Sequence, residues 1–265
     1  MKVFITTDME GLSGVDTYET LWDGDIPRTP FACERLMADT NAAAAGCFDA
    51  GAETVYVLDG HNGGVNFIDE LLDPRAVKCT KSNWQEVIAS GEIGAFLMVG
   101  FHAKAGTLGG FLDHTQSSKS WFNYYINGEK YGEIAQEAVF AGAFGIPCVM
   151  VSGDRAVCAE ARQLFGNQIS LAIVKEGTCR NITQSIPLPE AEALIRESAR
   201  TGVLNAAKMR PFTIPMPSTM RIEFYRSDYC DNAMKGRTNT RRIDARTIEW
   251  TVDKIQTFSD VVRGS

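Results

Sequence analysis

The sequence has no excess of positive charge. Its 265 residues include 26 lysines and arginines against 33 aspartates and glutamates, which gives a formal net charge of -7 at pH 7. Nucleic acids and anionic membranes are bound by basic surfaces, so we expect neither as a partner. No stretch reaches the roughly 20 apolar residues of a membrane helix. The first apolar run stops at Asp8, short of the about 7–15 apolar residues of a secretory signal. We therefore expect a cytoplasmic protein.

Paired cysteine motifs are also missing. The seven cysteines are odd in number and scattered, with no CxxC pair; they are Cys33, Cys47, Cys79, Cys148, Cys158, Cys179 and Cys230. Several lie in apolar runs, as Cys148 does between Pro147 and Val149. The sequence therefore predicts buried, reduced thiols rather than a disulfide framework.

Hydrophobic residues are plentiful, at 45% of the chain, which is enough for a sizeable core. Short apolar runs predict strands, and stretches with helical spacing of apolar residues lie between them. The strands are expected over residues 2–6, 54–58, 95–99 and 148–151, and the helices over 32–50 and 133–144. Strands that are apolar throughout are typical of a parallel sheet buried on both faces. We predict an α/β fold with a largely parallel, three-layer sheet core.

The pattern changes near residue 166. We expect further strands over residues 169–174, 220–225 and 247–252, a long helix over 189–209 and a last helix over 254–263. We therefore assign residues 1–165 to an α/β metal-binding catalytic core and residues 166–265 to a smaller C-terminal α+β portion. Composition leaves open whether this portion belongs to the same domain and whether it forms part of an oligomer interface.

The chain has only three histidines, and each follows a hydrophobic run beside glycine or aspartate. They occur in VYVLDGHNGG (His61), FLMVGFHAKAG (His102) and GGFLDHTQ (His114). In open α/β sheets, ligands bind beyond the carboxyl ends of the strands. His61 and His102 each come just after such an end, so we expect them to converge in one site.

Two carboxylates follow the first predicted strand. Asp8 and Glu10 point to the same side if the extended conformation continues, because strand side chains alternate with period two. Close carboxylates either share a proton or neutralise a cation. The simpler interpretation is a pair of solvated acids that cap a turn with Gly11.

Carboxylates and imidazoles together form a ligand set for zinc and similar divalent ions. Two carboxylates and two imidazoles are more ligands than one catalytic ion takes from a protein, whereas a pair of ions about 3.5–4 Å apart would use all four. A fifth, acidic ligand is then expected. Glu133 and Glu137 share one helical face, and Glu133 is preferred because it begins the predicted helix. Taken alone, Glu133 would be an ordinary first-turn glutamate.

These motifs together resemble the DppA-type D-aminopeptidases, a family of zinc metallopeptidases. The matching blocks run in family order from residue 1 to about 160, and the likeness thins beyond that point. They are TDMEG at 7–11, DGH at 59–61, GFHAKA at 100–105, DH at 113–114, YING at 125–128, GE at 132–133 and GDR at 153–155.

The resemblance implies a role for each matching residue. Asp8 would bridge two zinc ions per subunit, Glu10 and His102 would complete one ion's shell, and His61 and Glu133 the other's. His114 matches the family's catalytic histidine. The family assembles as a ring-shaped homodecamer that encloses its active sites, and it releases an N-terminal D-amino acid, such as D-alanine, from short peptides.

The expected function is thus that of a metallo-aminopeptidase in which a dinuclear zinc centre activates water. His114 would move protons, stabilise an oxyanion or act as the nucleophile. Two alternatives stay open. The first is another dinuclear metal hydrolase, which acts on phosphoesters or non-peptide amides. The second is a non-catalytic module that binds peptides or metals.

Three neighbouring residues have possible supporting roles. Asp59 is a plausible acceptor for a ligand imidazole, because ligand histidines usually donate their second nitrogen to such a group. Asp113 could orient His114, although adjacent residues on a strand face opposite ways. Lys104 either stabilises an oxyanion or is solvated.

Overall fold

A computed structural model describes residues 1–24, 26 and 28–264 of the chain. Its strands are β1 (Lys2–Thr7), β2 (Thr54–Asp59), β3 (Val77–Cys79), β4 (Ile93–Phe101), β5 (Trp121–Ile126), β6 (Glu129–Tyr131), β7 (Cys148–Asp154), β8 (Ser170–Cys179), β9 (Ile182–Ser185), β10 (Ser218–Phe224), β11 (Thr240–Arg242) and β12 (Thr247–Val252). Its α-helices are α1 (Tyr18–Leu21), α2 (Pro30–Asp49), α3 (Trp84–Ala89), α4 (Glu133–Ala143), α5 (Arg155–Phe165), α6 (Leu188–Asn205), α7 (Ser227–Ala233) and α8 (Phe258–Val262). Short 3-10 turns occupy His61–Gly63, Asp69–Leu71 and Ala206–Lys208.

The larger sheet in this part of the chain has the order β3-β2-β1-β4-β7-β8-β9. All neighbours pair in parallel except β8 and β9, which are antiparallel. The predicted α/β fold with a largely parallel central sheet is confirmed. Thr7 pairs with both Asp59 and Val99, so β1, β2 and β4 end side by side at one edge. Residues that follow these ends are therefore neighbours in space.

The central strands are buried because their side chains are apolar on both faces. Phe4 of β1 stacks on Phe96 of β4, with ring centroids 5.7 Å apart. Helix α2 begins at Pro30, a favoured first residue, after Thr29 has capped it by accepting a hydrogen bond from the Ala32 amide. Such helices cover the sheet faces and leave its carboxyl edge for the loops.

The smaller sheet is antiparallel, with the order β11-β12-β10-β5-β6. Its β5–β6 hairpin leads directly into α4, whose first residue is Glu133. Both sheets draw strands from either side of residue 165, since β8 joins the larger one and β5 the smaller one. A division of the chain at residue 165 therefore does not follow the sheets.

The predicted strands and helices are present, with shifted ends. The strand expected over 169–174 extends to Cys179, and the last helix is shorter than expected, at Phe258–Val262. All seven cysteines are free, and six are buried; Cys179 is exposed, so the expectation of burial is wrong for this residue. No helix in the described part of the chain is both long and apolar enough to cross a bilayer.

Candidate metal centre

The site lies where the segments after β1, β2 and β4 meet. The Asp8 amide donates to the Val99 carbonyl at 2.8 Å, and the Gly11 amide donates to the Gly100 carbonyl at 2.7 Å. A Cβ atom on Gly11 would overlap the Phe101 carbonyl oxygen, so only glycine permits this approach of the two backbones. The segment after β1 is thereby held against the end of β4.

Asp8 lies between two histidines. Its Oδ1 is 2.9 Å from Nδ1 of His61, and its Oδ2 is 3.3 Å from Nε2 of His102. Glu10 joins the first of these contacts, with Oε2 at 3.3 Å from Nδ1 of His61. Ligand atoms of Asp8, Glu10 and His61 all lie within 4.8 Å of one another, and all three residues are buried.

A second group forms on the other side of Asp8. Oε1 of Glu133 is 3.2 Å from Nε2 of His102 and 3.6 Å from Nε2 of His114. The two imidazole rings stack with centroids 3.9 Å apart and planes inclined by 11°. Ligand atoms of His102, His114 and Glu133 also lie within 4.8 Å of one another. All six residues expected from the sequence are therefore brought together.

Each charged group in the cluster stabilises the charged form of its oppositely charged neighbours. Burial lowers the pKa of His61, but Glu10 and Asp8 outweigh burial and raise this pKa well above its usual value. Burial also lowers the pKa of His102, and Glu133 and Asp8 outweigh burial and raise this pKa well above its usual value. Burial raises the pKa of Asp8, but its close contacts with His102 and His61 bring this pKa well below the usual range. Cations that replaced the histidine protons would meet the same carboxylates.

Two buried atoms of the cluster, Oε2 of Glu10 and Nε2 of His102, have charge contacts at 3.2–3.3 Å but no well-aligned hydrogen bond among the described residues. Buried polar atoms are normally satisfied, so this pair is an exception that a bound cation would remove. Carboxylate and imidazole are also the donors that zinc prefers. The residues present fit divalent cations, and Asp8 faces both groups of possible ligands.

The side chains group on the two sides of Asp8. Glu10 lies with His61, and Glu133 lies with His102. These are contacts between side chains rather than contacts to an ion, so the expected sharing of one ion by Glu10 and His102, and of the other by His61 and Glu133, stays a prediction.

Glu133 is fixed by a residue that the sequence analysis missed. Gln116 donates its backbone amide to Oε1 of Glu133 at 2.6 Å, and its side-chain amide contacts Oε1 of Gln136 at 2.9 Å. Gln116 has a φ of 60°, a left-handed conformation. The only sequence signal for this contact is the position of Gln116 two residues after His114.

His114 is oriented by the backbone. Its Nδ1 lies 2.8 Å from the carbonyl oxygen of Leu112, so Nδ1 carries the proton and Nε2 faces Glu133. Leu112 has a φ of 47°, and its amide donates to the Arg180 carbonyl at 2.6 Å. Asp113 instead accepts from the Gly106 amide at 2.6 Å. The Leu112 carbonyl therefore takes the orienting role considered for Asp113.

Lys175 of β8 is a second residue that the sequence analysis missed. Its buried ammonium group donates to the carbonyls of Glu10 (2.6 Å), Leu12 (2.9 Å) and Val15 (2.6 Å). It also lies 4.5 Å from the ring centroid of Phe111. Burial lowers the pKa of Lys175 to about 8. No local pattern could have identified it, because its partners are far away in sequence.

Asp59 and Lys104 act outside the imidazole cluster. Asp59 accepts from the Asn66 backbone amide at 2.6 Å, and the Asn66 side chain donates to the His61 carbonyl at 2.9 Å. Asp59 thus shapes the loop that carries His61 rather than contacting the ring. The ammonium group of Lys104 lies 3.6 Å from the buried carboxylate of Glu160. This contact provides a structural role for Lys104.

A cavity of about 750 Å³ opens over the cluster. Asp8, Glu10, His61, His114 and Glu133 lie at one side of it. Its remaining walls include the positively charged residues Lys81, Lys119 and Arg263, and residues of α8. This volume suits a small ligand of a few residues.

Comparisons with known proteins find a matching family and a similar chain. A family profile described as D-aminopeptidase matches residues 1–263. The D-aminopeptidase of Bacillus subtilis (strain 168) is 29% identical over 241 residues, which cover 84% of this chain and 81% of that protein.

A solved structure is similar over nearly the whole chain. It is described as the Zn-dependent D-aminopeptidase DppA from Bacillus subtilis, a self-compartmentalizing protease. The TM-score is 0.89 at 24% sequence identity, and the match covers 98% of this chain and 95% of that one. The two chains share a fold.

Proposed function

The chain belongs to the D-aminopeptidase family, and we propose that it is a zinc-dependent aminopeptidase that releases an N-terminal D-amino acid, such as D-alanine, from short peptides. Asp8, Glu10, His61, His102 and Glu133 would hold two zinc ions per subunit, and His114 would be the catalytic residue. The Zn-dependent relative of similar fold supports the choice of metal.

The observation that carries this proposal is the position of Asp8. One oxygen faces His61 at 2.9 Å and the other faces His102 at 3.3 Å, with Glu10 and Glu133 on the two sides. A carboxylate between two histidine–carboxylate groups is the arrangement that a pair of divalent ions requires. The buried atoms of Glu10 and His102 that lack a well-aligned hydrogen bond support the same conclusion.

When bound, divalent ions supply Lewis acidity, which lowers the pKa of water and polarises a carbonyl group. The chain supplies the remaining parts. Asp8, Glu10 and Glu133 provide negative charge that retains the ions in a buried site. His114 has Nε2 towards Glu133 and the cavity, and the Leu112 carbonyl fixes its tautomer. Because Nδ1 holds the ring proton, Nε2 can accept a proton from the attacking water and then donate it to the leaving amine nitrogen as the peptide bond breaks.

We also propose that the subunits assemble into a closed homo-oligomer in the cytoplasm, a ring-shaped decamer by resemblance. The self-compartmentalizing relative supports a closed assembly. Leu108, on the loop after β4, is 99% exposed in the single chain, as an interface residue would be. The free cysteines suit a reducing compartment. Light scattering during size-exclusion chromatography would measure the subunit number.

The activity is tested with matched substrates. The zinc-loaded protein is assayed with D-alanyl and L-alanyl p-nitroanilides, D-alanyl-D-alanine and p-nitrophenyl phosphate, and zinc per chain is measured in the same preparation. We expect hydrolysis of the D-alanyl substrates, and its loss after chelation. Cleavage of the phosphate ester alone would favour a phosphoesterase, and a zinc-loaded protein that cleaves no peptide would favour a binding module.

A further inference from the structure

One carboxyl group in the cavity remains without a role. Among the described residues, four carboxylates line the cavity: Asp8, Glu10, Glu133 and Glu137. The first three lie within 3.3 Å of a histidine nitrogen. Glu137 belongs to neither of the two ligand groups. It is therefore the cavity carboxylate that remains available for something other than a metal ion.

The Glu137 carboxyl lacks a hydrogen-bond donor among the described residues. Its Oε2 is shielded from solvent and has no hydrogen-bond partner among the described residues, so the carboxyl meets the cavity through its other oxygen. Burial raises the pKa of this carboxyl to about 8, and only Lys81 offsets the effect. The ammonium group of Lys81 donates to the Gly60 carbonyl at 2.8 Å instead. A buried carboxyl without a donor is costly unless a ligand supplies one.

The position of Glu137 on α4 limits what that ligand can be. Glu133 and Glu137 are four residues apart on one face of the helix, a separation of about 5–6 Å between Cβ atoms. One residue of an extended peptide spans about 3.3–3.6 Å. A peptide whose first carbonyl lies at the Glu133 cluster would therefore have its own amino group within reach of Glu137.

On this basis we propose that Glu137 binds the α-ammonium group of the substrate and so restricts cleavage to the first peptide bond. Glu137 would be a specificity-determining residue. An ammonium group offers three N–H donors and a positive charge, which is what an unpartnered carboxylate lacks. The inference rests on the proposed aminopeptidase function, because it takes the cluster of Asp8, Glu10, Glu133 and the histidines as the place of the scissile carbonyl.

The test compares two ligands that differ only in the amino group. D-Alaninol carries the ammonium group and 1-propanol lacks it, and neither has an amide bond to cleave; binding of each to the zinc-loaded protein is measured by calorimetry. We expect the wild type to bind D-alaninol at least about tenfold more tightly, as a charged hydrogen bond allows. In Glu137→Gln this preference should fall to about twofold or less, with 1-propanol binding unchanged.

Two further variants complete the test. Glu34→Gln removes an exposed carboxylate from α2 and should keep the wild-type preference. Glu137→Asp retains the charge with a shorter reach and should restore part of the preference. Kinetics with D-alanyl peptides should show an increase in KM for Glu137→Gln that exceeds its decrease in kcat.

The outcomes separate the two proposals. A wild type that binds both ligands equally, or a Glu137→Gln variant that keeps the full preference, overturns the role of Glu137 even if D-alanyl peptides are cleaved. Loss of the preference in Glu137→Gln alone supports the role. Because the readout is binding, failure to cleave any peptide would count against the proposed function and leave this result standing.

Discussion

The two carboxylate oxygens of Asp8 face two different histidines, at 2.9 Å from His61 and 3.3 Å from His102. These histidines follow β2 and β4, the two neighbours of β1 in the sheet. Asp8 therefore links the two halves of the cluster. A substitution there should affect both halves, whereas a change at Glu10 should affect one.

Zinc content tests this asymmetry. The wild type should hold about two zinc ions per chain, and we expect Asp8→Asn to lose most of this zinc, since the Asp8 carboxylate is shared by both metal positions. Glu10→Gln should lose about one, because Glu10 contacts only the His61 side. Elemental analysis after dialysis gives the numbers, with the exposed Asp253→Asn as the control. Wild-type zinc content in Asp8→Asn would contradict the bridging role.

His114 is expected to act in catalysis and not in retention of the metal. Its Nε2 is farther from Glu133, at 3.6 Å, than that of His102, at 3.2 Å. His114→Ala should keep near-normal zinc content and lose about 10²–10⁴-fold in kcat, the usual contribution of a positioned acid or base. The two measurements are made on one preparation. Loss of zinc would instead identify His114 as a ligand.

Lys175 is expected to stabilise the ligand-bearing segment after β1. Lys175→Met removes the donor to three carbonyls, including that of Glu10. Each buried acceptor left unpaired costs about 1–3 kcal/mol, so unfolding free energy should fall by at least about 2 kcal/mol. Urea unfolding measures the loss, and the exposed Lys254→Met is the matched control. Unchanged stability together with unchanged zinc affinity would exclude this role.

The raised pKa of Glu137 predicts that the difference in stability between the wild type and Glu137→Gln changes with pH. Its folded-state pKa of about 8 exceeds the ordinary value of 4.5, so the folded protein binds the proton more tightly than the unfolded chain. Stability is therefore lost as pH rises from 4.5 to about 8. Glu137→Gln lacks this loss. In metal-free protein, we expect the Tm of the variant to gain at least about 3 °C on the wild type across this range.

Melting curves at several pH values, with Glu34→Gln as the reference, test whether the Glu137 carboxyl causes this pH dependence. If the Tm difference between Glu137→Gln and the wild type were the same at every pH, the Glu137 carboxyl would titrate normally. The chelated protein is required, because a cation near Glu133 would itself lower the pKa of a neighbouring carboxyl.

The sheet and the proximity of the residues that follow its strands could be predicted because both follow from local patterns, whereas the role of His114 was implied by the family resemblance. The parallel strands are apolar runs, and the carboxyl ends of adjacent strands lie at one edge of a sheet. Asp8, His61 and His102 come directly after such ends. Their proximity could therefore be inferred without any long-range contact.

The supporting residues could not be predicted in this way. Lys175 and Gln116 act through backbone groups of other segments, and neither carries a motif. The pairing of Glu10 with His61 depends on which side of Asp8 each segment approaches, which is a three-dimensional property. Such contacts depend on how loops cross, and hydrophobic periodicity does not report loop paths.

The close approach at Gly11 has a practical consequence. The main chain after β1 is joined to the end of β4 by its own amide–carbonyl contacts, so this junction does not depend on the side chains that would hold the ions. Stripping and reloading should then be reversible without refolding. The scaffold would accept cobalt or manganese in exchange for zinc, and a spectroscopically visible ion could report on the centre from within the intact protein.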